Sequence, residues 1–297
     1  MGQRQQALAS MSNFEALGMI DLSGKSAIVT GGASGIGEQT VRKLADLGAR
    51  VTIADVDEGK GASLAAELSS AYKGILFVQT DILKEADIAA LSEHVSDQFG
   101  RIDIVVNSAG IPRTIAPDFE VVEMDVNHWN TTIAGHLTST MLMAKYSLPI
   151  MISGGGGSIV NVSSLASLEA TMDLAAYGAA KAGVNQLTKE IAATYGRDNI
   201  RCNAVIPGAV LTERGRKTMG KEMFELFATE TPLPRLAEPE DLANAIVFFA
   251  SEMSAMITGQ ALTVDGGMMT KLPYWLPKMR ASRGPSFDEA AARYSPK

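Results

Sequence analysis

Short runs of consecutive apolar residues alternate along this chain with longer stretches whose apolar positions recur every three or four residues. From Leu22 onward the series reads "SAIVTGG", a helix over 36–47, "RVTIADVD", a helix over 58–71, "GILFVQTDI" and a helix over 84–99. It continues with "IDIVVNSAG", a long helix over 126–151, "GSIVNVSS", a helix over 176–195, "IRCNAVIPG" and, after more helix, "ALTVDGG". Strands separated by helices at this spacing are βαβ units, so the pattern predicts an α/β fold with a parallel sheet covered on both faces. The strands are apolar throughout rather than at every second position, as burial on both sides requires. In the first helix Ile36, Thr40, Val41, Leu44 and Leu47 share a face, and Gly48 stands where a C-terminal glycine ends a helix. A sheet of this kind binds ligands at the carboxyl ends of its strands, so the functional residues are expected just after the β-runs.

The 297 residues, 46% of them hydrophobic and 20% charged, supply a large core, and no Pro/Ser-rich linker divides them, so a single domain is expected. The net charge of −7 comes without a basic stripe, which argues against nucleic acid as a partner. Cys202 is the only cysteine, in the strand-like "RCNAVIP", where it reads as a buried structural thiol, and a reducing cytoplasm is the expected compartment. His94, His128 and His136 are scattered without metal-ligand spacing, so no metal is expected. "MGQRQQALAS" lacks the apolar core of a signal peptide, Gln6 breaks the myristoylation pattern, and the longest apolar run is interrupted by Lys145 and Pro149; no membrane association is expected. Residues 1–21 read as an N-terminal extension, 22–270 as the domain, and 271–297 as a tail. That tail is either a poorly ordered terminus or an arm docked through Tyr274 and Trp275.

Candidate chemistry begins with "TGGASGIGE". Gly31, Gly35 and Gly37 let the backbone approach a pyrophosphate, and the following helix offers free N–H groups and the positive end of its dipole. Ser34 and Ile36 lie in the same turn and belong with the cofactor-binding residues. The turn follows a strand, opens a helix and has no Walker lysine, which favours a dinucleotide over a nucleoside triphosphate. Asp55, eighteen residues beyond Gly37, ends the second strand, where a carboxylate accepts from an adenosine ribose and repels a 2′-phosphate; this favours NAD. The alternative is that Asp55 and Asp57 merely cap the next helix. In "YGAAKAG", Tyr177 and Lys181 are at i and i+4 on one helical face, where the ammonium would lower the phenol pKa and fit it for proton exchange. Ser164, closing "SIVNVSS", could hold the reacting oxygen beside the phenol.

T-G-x-x-x-G-x-G at 30–37, N-S-A-G at 107–110, Ser164 thirteen residues before Tyr177, Y-x-x-x-K, and "PGAVLT" at 207–212 stand in one order and register. Over residues 22–267 the chain resembles the short-chain dehydrogenase/reductase family. The resemblance implies a single Rossmann-type, doubly wound domain with a seven-stranded parallel sheet, NAD(P) binding, and hydride transfer at an alcohol or carbonyl carbon. It implies Tyr177 as general acid/base, Ser164 as stabiliser of the substrate oxygen, and Lys181 as the residue that binds the nicotinamide ribose and depresses the Tyr177 pKa. It further implies that Asp81 and Ile82 face the adenine, that Asn107, Ala109 and Gly110 line the adenosine side, and that Pro207, Val210 and Thr212 meet the nicotinamide half. The family's long helices pair across a two-fold axis, so a dimer or tetramer is expected, in keeping with the apolar Met141, Leu142, Met143, Ile191 and Ala192.

Two positions depart from the family pattern. Ser108 replaces the second Asn of N-N-A-G, and His136 in "WNTTIAGHLTST" stands where the fourth catalytic residue is ordinarily Asn. A neutral imidazole both donates and accepts, so His136 could keep the proton relay or contact substrate; the alternative is a packing residue. A lid over about 211–238 carries Met219, Met223, Phe224, Leu226 and Phe227, which read either as a packing face or as cover for an apolar, cyclic or aromatic secondary alcohol. With NAD, oxidation of such an alcohol is the expected direction. A 3-oxoacyl-thioester reductase, with Arg214, Arg216 and Lys217 as a patch for a carrier, and a non-catalytic NAD-binding sensor are the alternatives.

Overall fold

The apolar runs become seven strands: β1 (Ser26–Thr30), β2 (Arg50–Asp55), β3 (Ile75–Gln79), β4 (Ile104–Asn107), β5 (Gly157–Val162), β6 (Ile200–Pro207) and β7 (Ala261–Val264). They form one sheet in the order β3-β2-β1-β4-β5-β6-β7, and every neighbouring pair is parallel, the pairing expected from sequence. The computed structural model describes residues 20–112, 118 and 120–284. The N-terminal expectations for residues 1–19 and those for the tail beyond 284 lie outside the described residues.

Ten α-helices are described: α1 (Gly35–Asp46), α2 (Glu58–Ser69), α3 (Glu85–Phe99), α4 (Val126–Ile133), α5 (Ser139–Ser153), α6 (Ala175–Tyr195), α7 (Glu213–Thr218), α8 (Lys221–Glu230), α9 (Pro239–Ala250) and α10 (Trp275–Arg283). Successive strand side chains point to opposite faces, which is why both faces need cover. Ala27 and Val29 of β1 join Val41 and Leu44 of α1 and Ile246 and Phe249 of α9 on one side. Ile28, between them, joins Leu91 of α3, Met143 of α5 and Ile191 of α6 on the other. The outer strands depart from the expectation of full burial, because an edge has a neighbour on one side only: Ala261 and Leu262 of β7 are exposed.

Gly48 ends α1 as expected, with φ +86 just beyond the C-cap Leu47. The predicted helix over 126–151 is corrected: a π turn at Ala134–Thr138 separates α4 from α5. Its carbonyls are partly taken up by hydroxyls one turn on, Ser139 Oγ donating to Gly135 O at 3.1 Å and Thr140 Oγ1 to His136 O at 2.8 Å. Such back-bonding bends helices, and π turns collect at functional positions. This one carries His136. At the start of the tail Lys271 pairs with Glu230 of α8 and lies 5.4 Å from the Trp275 ring centre, while Tyr274 is exposed.

From β1 the chain moves outward to β2 and β3, then returns past β1 to β4 and builds in the other direction. The carboxyl ends of β1 and β4 therefore flank the switch point, where a crevice opens.

Candidate active site

The turn after β1 has no room for a side chain at Gly31 or Gly37. A Cβ on Gly37 would sit 2.0 Å from the Gly31 carbonyl oxygen, and one on Gly31, at φ +66, would sit 2.8 Å from the Ala109 Cα. Across the crevice the Thr212 methyl lies 3.2 Å from where a Gly35 Cβ would be. Ser34 precedes α1 without a side-chain cap bond, which leaves the opening N–H groups and the positive helix end for an anion. Ile36 is part of that first turn.

Asp55 turns back on the same loop: its carboxylate accepts from the Ala33 N–H at 3.0 Å and the Asp57 N–H at 3.0 Å. The helix cap is Asp57, which accepts from the Lys60 N–H at 3.0 Å. Asp81 and Ile82 follow β3, and Asp81 shapes its own turn by accepting from the Leu83 N–H at 3.0 Å. Asn107 ends β4, giving its amide to Asn161 Oδ1 at 2.8 Å, while its own Oδ1 is buried without a hydrogen-bond partner. Thr30 Oγ1 accepts from the Ala109 N–H at 3.2 Å, binding the N-S-A-G loop to β1. A tight glycine cradle, an uncapped helix start and an orphaned acceptor together fit a dinucleotide. No group of three or more His, Cys, Asp or Glu that could hold a metal lies among the described residues.

On the other side of the switch point, β5 delivers Ser164 and α6 delivers Tyr177 and Lys181. The Ser164 hydroxyl hydrogen-bonds the Tyr177 phenol. Lys181 Nζ donates to the Val162 carbonyl at 2.7 Å and lies 5.7 Å from the Tyr177 ring centre. The His136 ring meets the Tyr177 ring edge-on, with centroids 4.9 Å apart, and packs directly over Gly110. Sequence thus brings together Ser164, Tyr177, Lys181 and His136 in one place.

Burial sets the protonation of this group. It pushes the Tyr177 phenol above its ordinary value, with only the Ser164 hydrogen bond opposing it. The expectation that Lys181 lowers the phenol is therefore not met in this geometry: the ammonium is turned to Val162, and burial has brought it down to about 8. His136, only 6% exposed, falls to about 3, through burial first and the nearby Lys181 charge second, against a backbone hydrogen bond at Ile111 that favours the charged ring. Its Nδ1 is buried without a partner. Neutral His136 beside charged Lys181 is the resting arrangement near pH 7.

A family model described as enoyl-(acyl carrier protein) reductase matches residues 31–269. The 7alpha-hydroxysteroid dehydrogenase of Bacteroides fragilis is 38% identical over 84% of this chain and 96% of its own length. The chain belongs to the short-chain dehydrogenase/reductase family. The cis-4-hydroxycyclohexanecarboxylate dehydrogenase of Sinomonas cyclohexanicum is 42% identical over 81% of this chain and 95% of that protein. Among solved structures, a 7alpha-hydroxysteroid dehydrogenase in complex with NADH and 7-oxo glycochenodeoxycholic acid superimposes with a TM-score of 0.80 at 29% identity, over 86% of this chain and 98% of that one.

As a short-chain dehydrogenase/reductase the protein is an oxidoreductase that binds NAD(H) or NADP(H) and acts on small organic substrates. The segment expected to meet the nicotinamide follows β6, which ends at Pro207. Val210 bridges to Ala237, and Thr212 caps α7 by accepting from the Gly215 N–H at 2.9 Å. Of the Met and Phe stripe expected to form a lid, Phe224 is buried with Leu211 and Leu236, Met219 and Phe227 pack on them, and Met223 and Leu226 are exposed. The stripe is thus in part a small core of its own. The basic patch is not a set of free cations, since Arg216 pairs with Glu238 at 2.6 Å and Lys217 with Glu213 at 2.5 Å. Cys202 is buried and its thiol is pushed up to about 12, the behaviour of a structural residue. No described helix is long and apolar enough to cross a membrane.

Polar residues outside the sequence motifs lie behind the site. Asn185, two turns beyond Tyr177 on α6, donates to Ser167 Oγ at 2.8 Å, and Ser167 donates to the Ser164 carbonyl at 2.6 Å. Asn161 and Asp118 were missed as well. Only Asn185, continuing the Tyr177 and Lys181 spacing, left a signal that could have been read.

Proposed function

We propose that the protein is an NAD-dependent dehydrogenase/reductase of an apolar, cyclic or aromatic secondary alcohol and its ketone. The observation that carries this reading is the convergence of Ser164, Tyr177, Lys181 and neutral His136 beside a dinucleotide cradle. When bound, the nicotinamide supplies or accepts the hydride.

Tyr177 is the general acid/base, exchanging a proton with the substrate oxygen, and Ser164 donates a hydrogen bond to that oxygen while holding the phenol in place. Lys181 holds the nicotinamide ribose. His136, tethered at Ile111 and carrying a bare Nδ1 acceptor, takes the part of the family's Asn in passing protons from Lys181 to solvent. Gly31, Ser34, Gly35, Ile36 and Gly37 cradle the pyrophosphate; Asp55 selects NAD over NADP by its charge. Asp81, Ile82, Asn107, Ala109 and Gly110 line the adenosine side, and Pro207, Val210 and Thr212 the nicotinamide side. Residues 22–270 form the catalytic unit with its lid at 211–238, flanked by the segments 1–21 and 271–297, and the enzyme works in the cytoplasm as a dimer or tetramer. Two relatives named for cyclic alcohols support the substrate class.

The raised phenol pKa bears on direction. A protonated phenol at neutral pH is ready to act as an acid in ketone reduction, whereas alcohol oxidation needs it deprotonated. The test is initial-rate spectrophotometry on cyclic and aryl secondary alcohols and ketones, with NAD and NADP cofactors in parallel. The reading requires turnover with NAD(H) favoured. Turnover of acetoacetyl thioesters alone would replace it with the acyl reductase.

A further inference from the structure

The helix that presents the catalytic pair begins badly. Tyr177 is the third residue of α6, where backbone N–H groups have no partner within the helix. The preceding residue, Leu174, has no side-chain acceptor to offer, and no local cap bond is made. Helices without such a cap fray in their first turn, and here the first turn is where the proton-transfer group sits.

The missing acceptor comes from far along the chain. Asp118, 2% exposed, extends its carboxylate to the start of α6, Oδ1 accepting from the Ala176 N–H at 3.1 Å and Oδ2 from the Tyr177 N–H at 2.7 Å. These are the two groups a local cap would satisfy, reached across 58 and 59 positions of sequence. A buried carboxylate is costly unless hydrogen-bonded, and a helix N-terminus is a site that stabilises its charge. Asp118 also follows Gly110 of the N-S-A-G motif by only eight positions in the sequence.

We infer that Asp118 is a positioning residue for hydride transfer: as a long-range cap it locks the first turn of α6, and so the Tyr177 phenol, in the place where it meets Ser164 and the substrate oxygen. The inference rests on Tyr177 being the acid/base group. It does not place Asp118 in contact with substrate or cofactor.

The test compares wild type, Asp118→Ala, Asp118→Asn and Tyr177→Phe, using the cyclic alcohol or ketone that wild type turns over best. For each, kcat, KM and the affinity for NADH by fluorescence titration are measured. Loss of positioning predicts that Asp118→Ala lowers kcat about 10- to 100-fold, the range for a misplaced reacting group, with NADH affinity within about threefold of wild type, since the glycine cradle is untouched. Asp118→Asn keeps a carbonyl oxygen that can accept from the Tyr177 N–H, and recovers most of that kcat. A purely structural role would instead lower NADH affinity and active fraction together, with the Asn variant no better than Ala in kcat per NADH-binding site. That result, or a kcat for Asp118→Ala equal to wild type while Tyr177→Phe is inactive, overturns the inference. Tyr177→Phe as active as wild type would instead overturn the acid/base reading on which it rests. If Asp118→Ala fails to fold, Asp118→Ser, whose hydroxyl falls one bond short of both N–H groups, takes its place: a kcat more than about tenfold down with NADH binding retained supports the positioning role, and a kcat equal to wild type overturns it.

Discussion

Lowering the pH from 7 to 5 should weaken the fold through His136 in a way that a variant can isolate. The ring is buried, its Nδ1 has no partner, and Lys181 lies near enough to oppose a second positive charge, so its pKa drops from 6.5 to about 3. In the unfolded chain His136 takes up a proton as pH falls through 6.5, whereas in the folded protein it stays neutral until about 3. The unfolded state therefore binds more protons throughout that window, and stability falls as the pH does. At pH 5 the difference amounts to about 2 kcal/mol relative to pH 7. His136→Asn keeps a polar group that can bond the Ile111 carbonyl but does not titrate, so it lacks this loss. Urea unfolding of both proteins at pH 7, 6 and 5, at one protein concentration, measures it: the gap between them should shift by about 2 kcal/mol in favour of Asn from pH 7 to pH 5. Parallel pH dependence would refute the reasoning and mean that the folded protein accommodates a charged imidazole.

Three further outcomes follow from the same geometry. Because burial raises the Tyr177 pKa, the rate of alcohol oxidation should climb with pH above neutrality while ketone reduction holds at neutral pH and falls as the phenol ionises; pH profiles of kcat in both directions check this. Asp55→Asn removes the charge that opposes a 2′-phosphate, and the ratio of kcat/KM for NAD over NADP should fall by roughly 10- to 100-fold. Gly37→Ala drives a methyl into the Gly31 carbonyl, 2.0 Å away, so NADH binding by fluorescence titration should weaken at least tenfold, and unchanged affinity would show that the loop yields.

The parallel pairing and burial of the strands were legible because a parallel sheet covered on both faces forces continuous apolar runs, and Ala27, Ile28 and Val29 go to alternate cores as that pattern requires; the order of the strands in the sheet was not. The cradle was legible because only glycine fits where Gly31 and Gly37 stand. Local spacing also brought Tyr177 and Lys181 onto one face. What escaped is what depends on distant residues. The π turn at Ala134–Thr138 escaped because its one glycine, Gly135, sits inside a run that otherwise reads as continuous helix. The charge states were misread where they depend on burial: the Lys181 ammonium faces Val162, and desolvation moves both it and the phenol. Asp118 and Asn161 act across long stretches of sequence, with nothing in their neighbours to announce it.

The claim that Tyr177 moves the proton is tested most directly by single-turnover hydride transfer in Tyr177→Phe, followed at the NADH absorbance band with saturating substrate, beside a fluorescence titration of NADH binding. The account predicts that the rate falls by roughly 10²- to 10⁴-fold, the usual worth of a positioned acid or base, while NADH affinity stays within threefold or so of wild type. A transfer rate within about tenfold of wild type, with NADH bound as tightly, would contradict it, because that loss is below what removal of a positioned acid or base should cost.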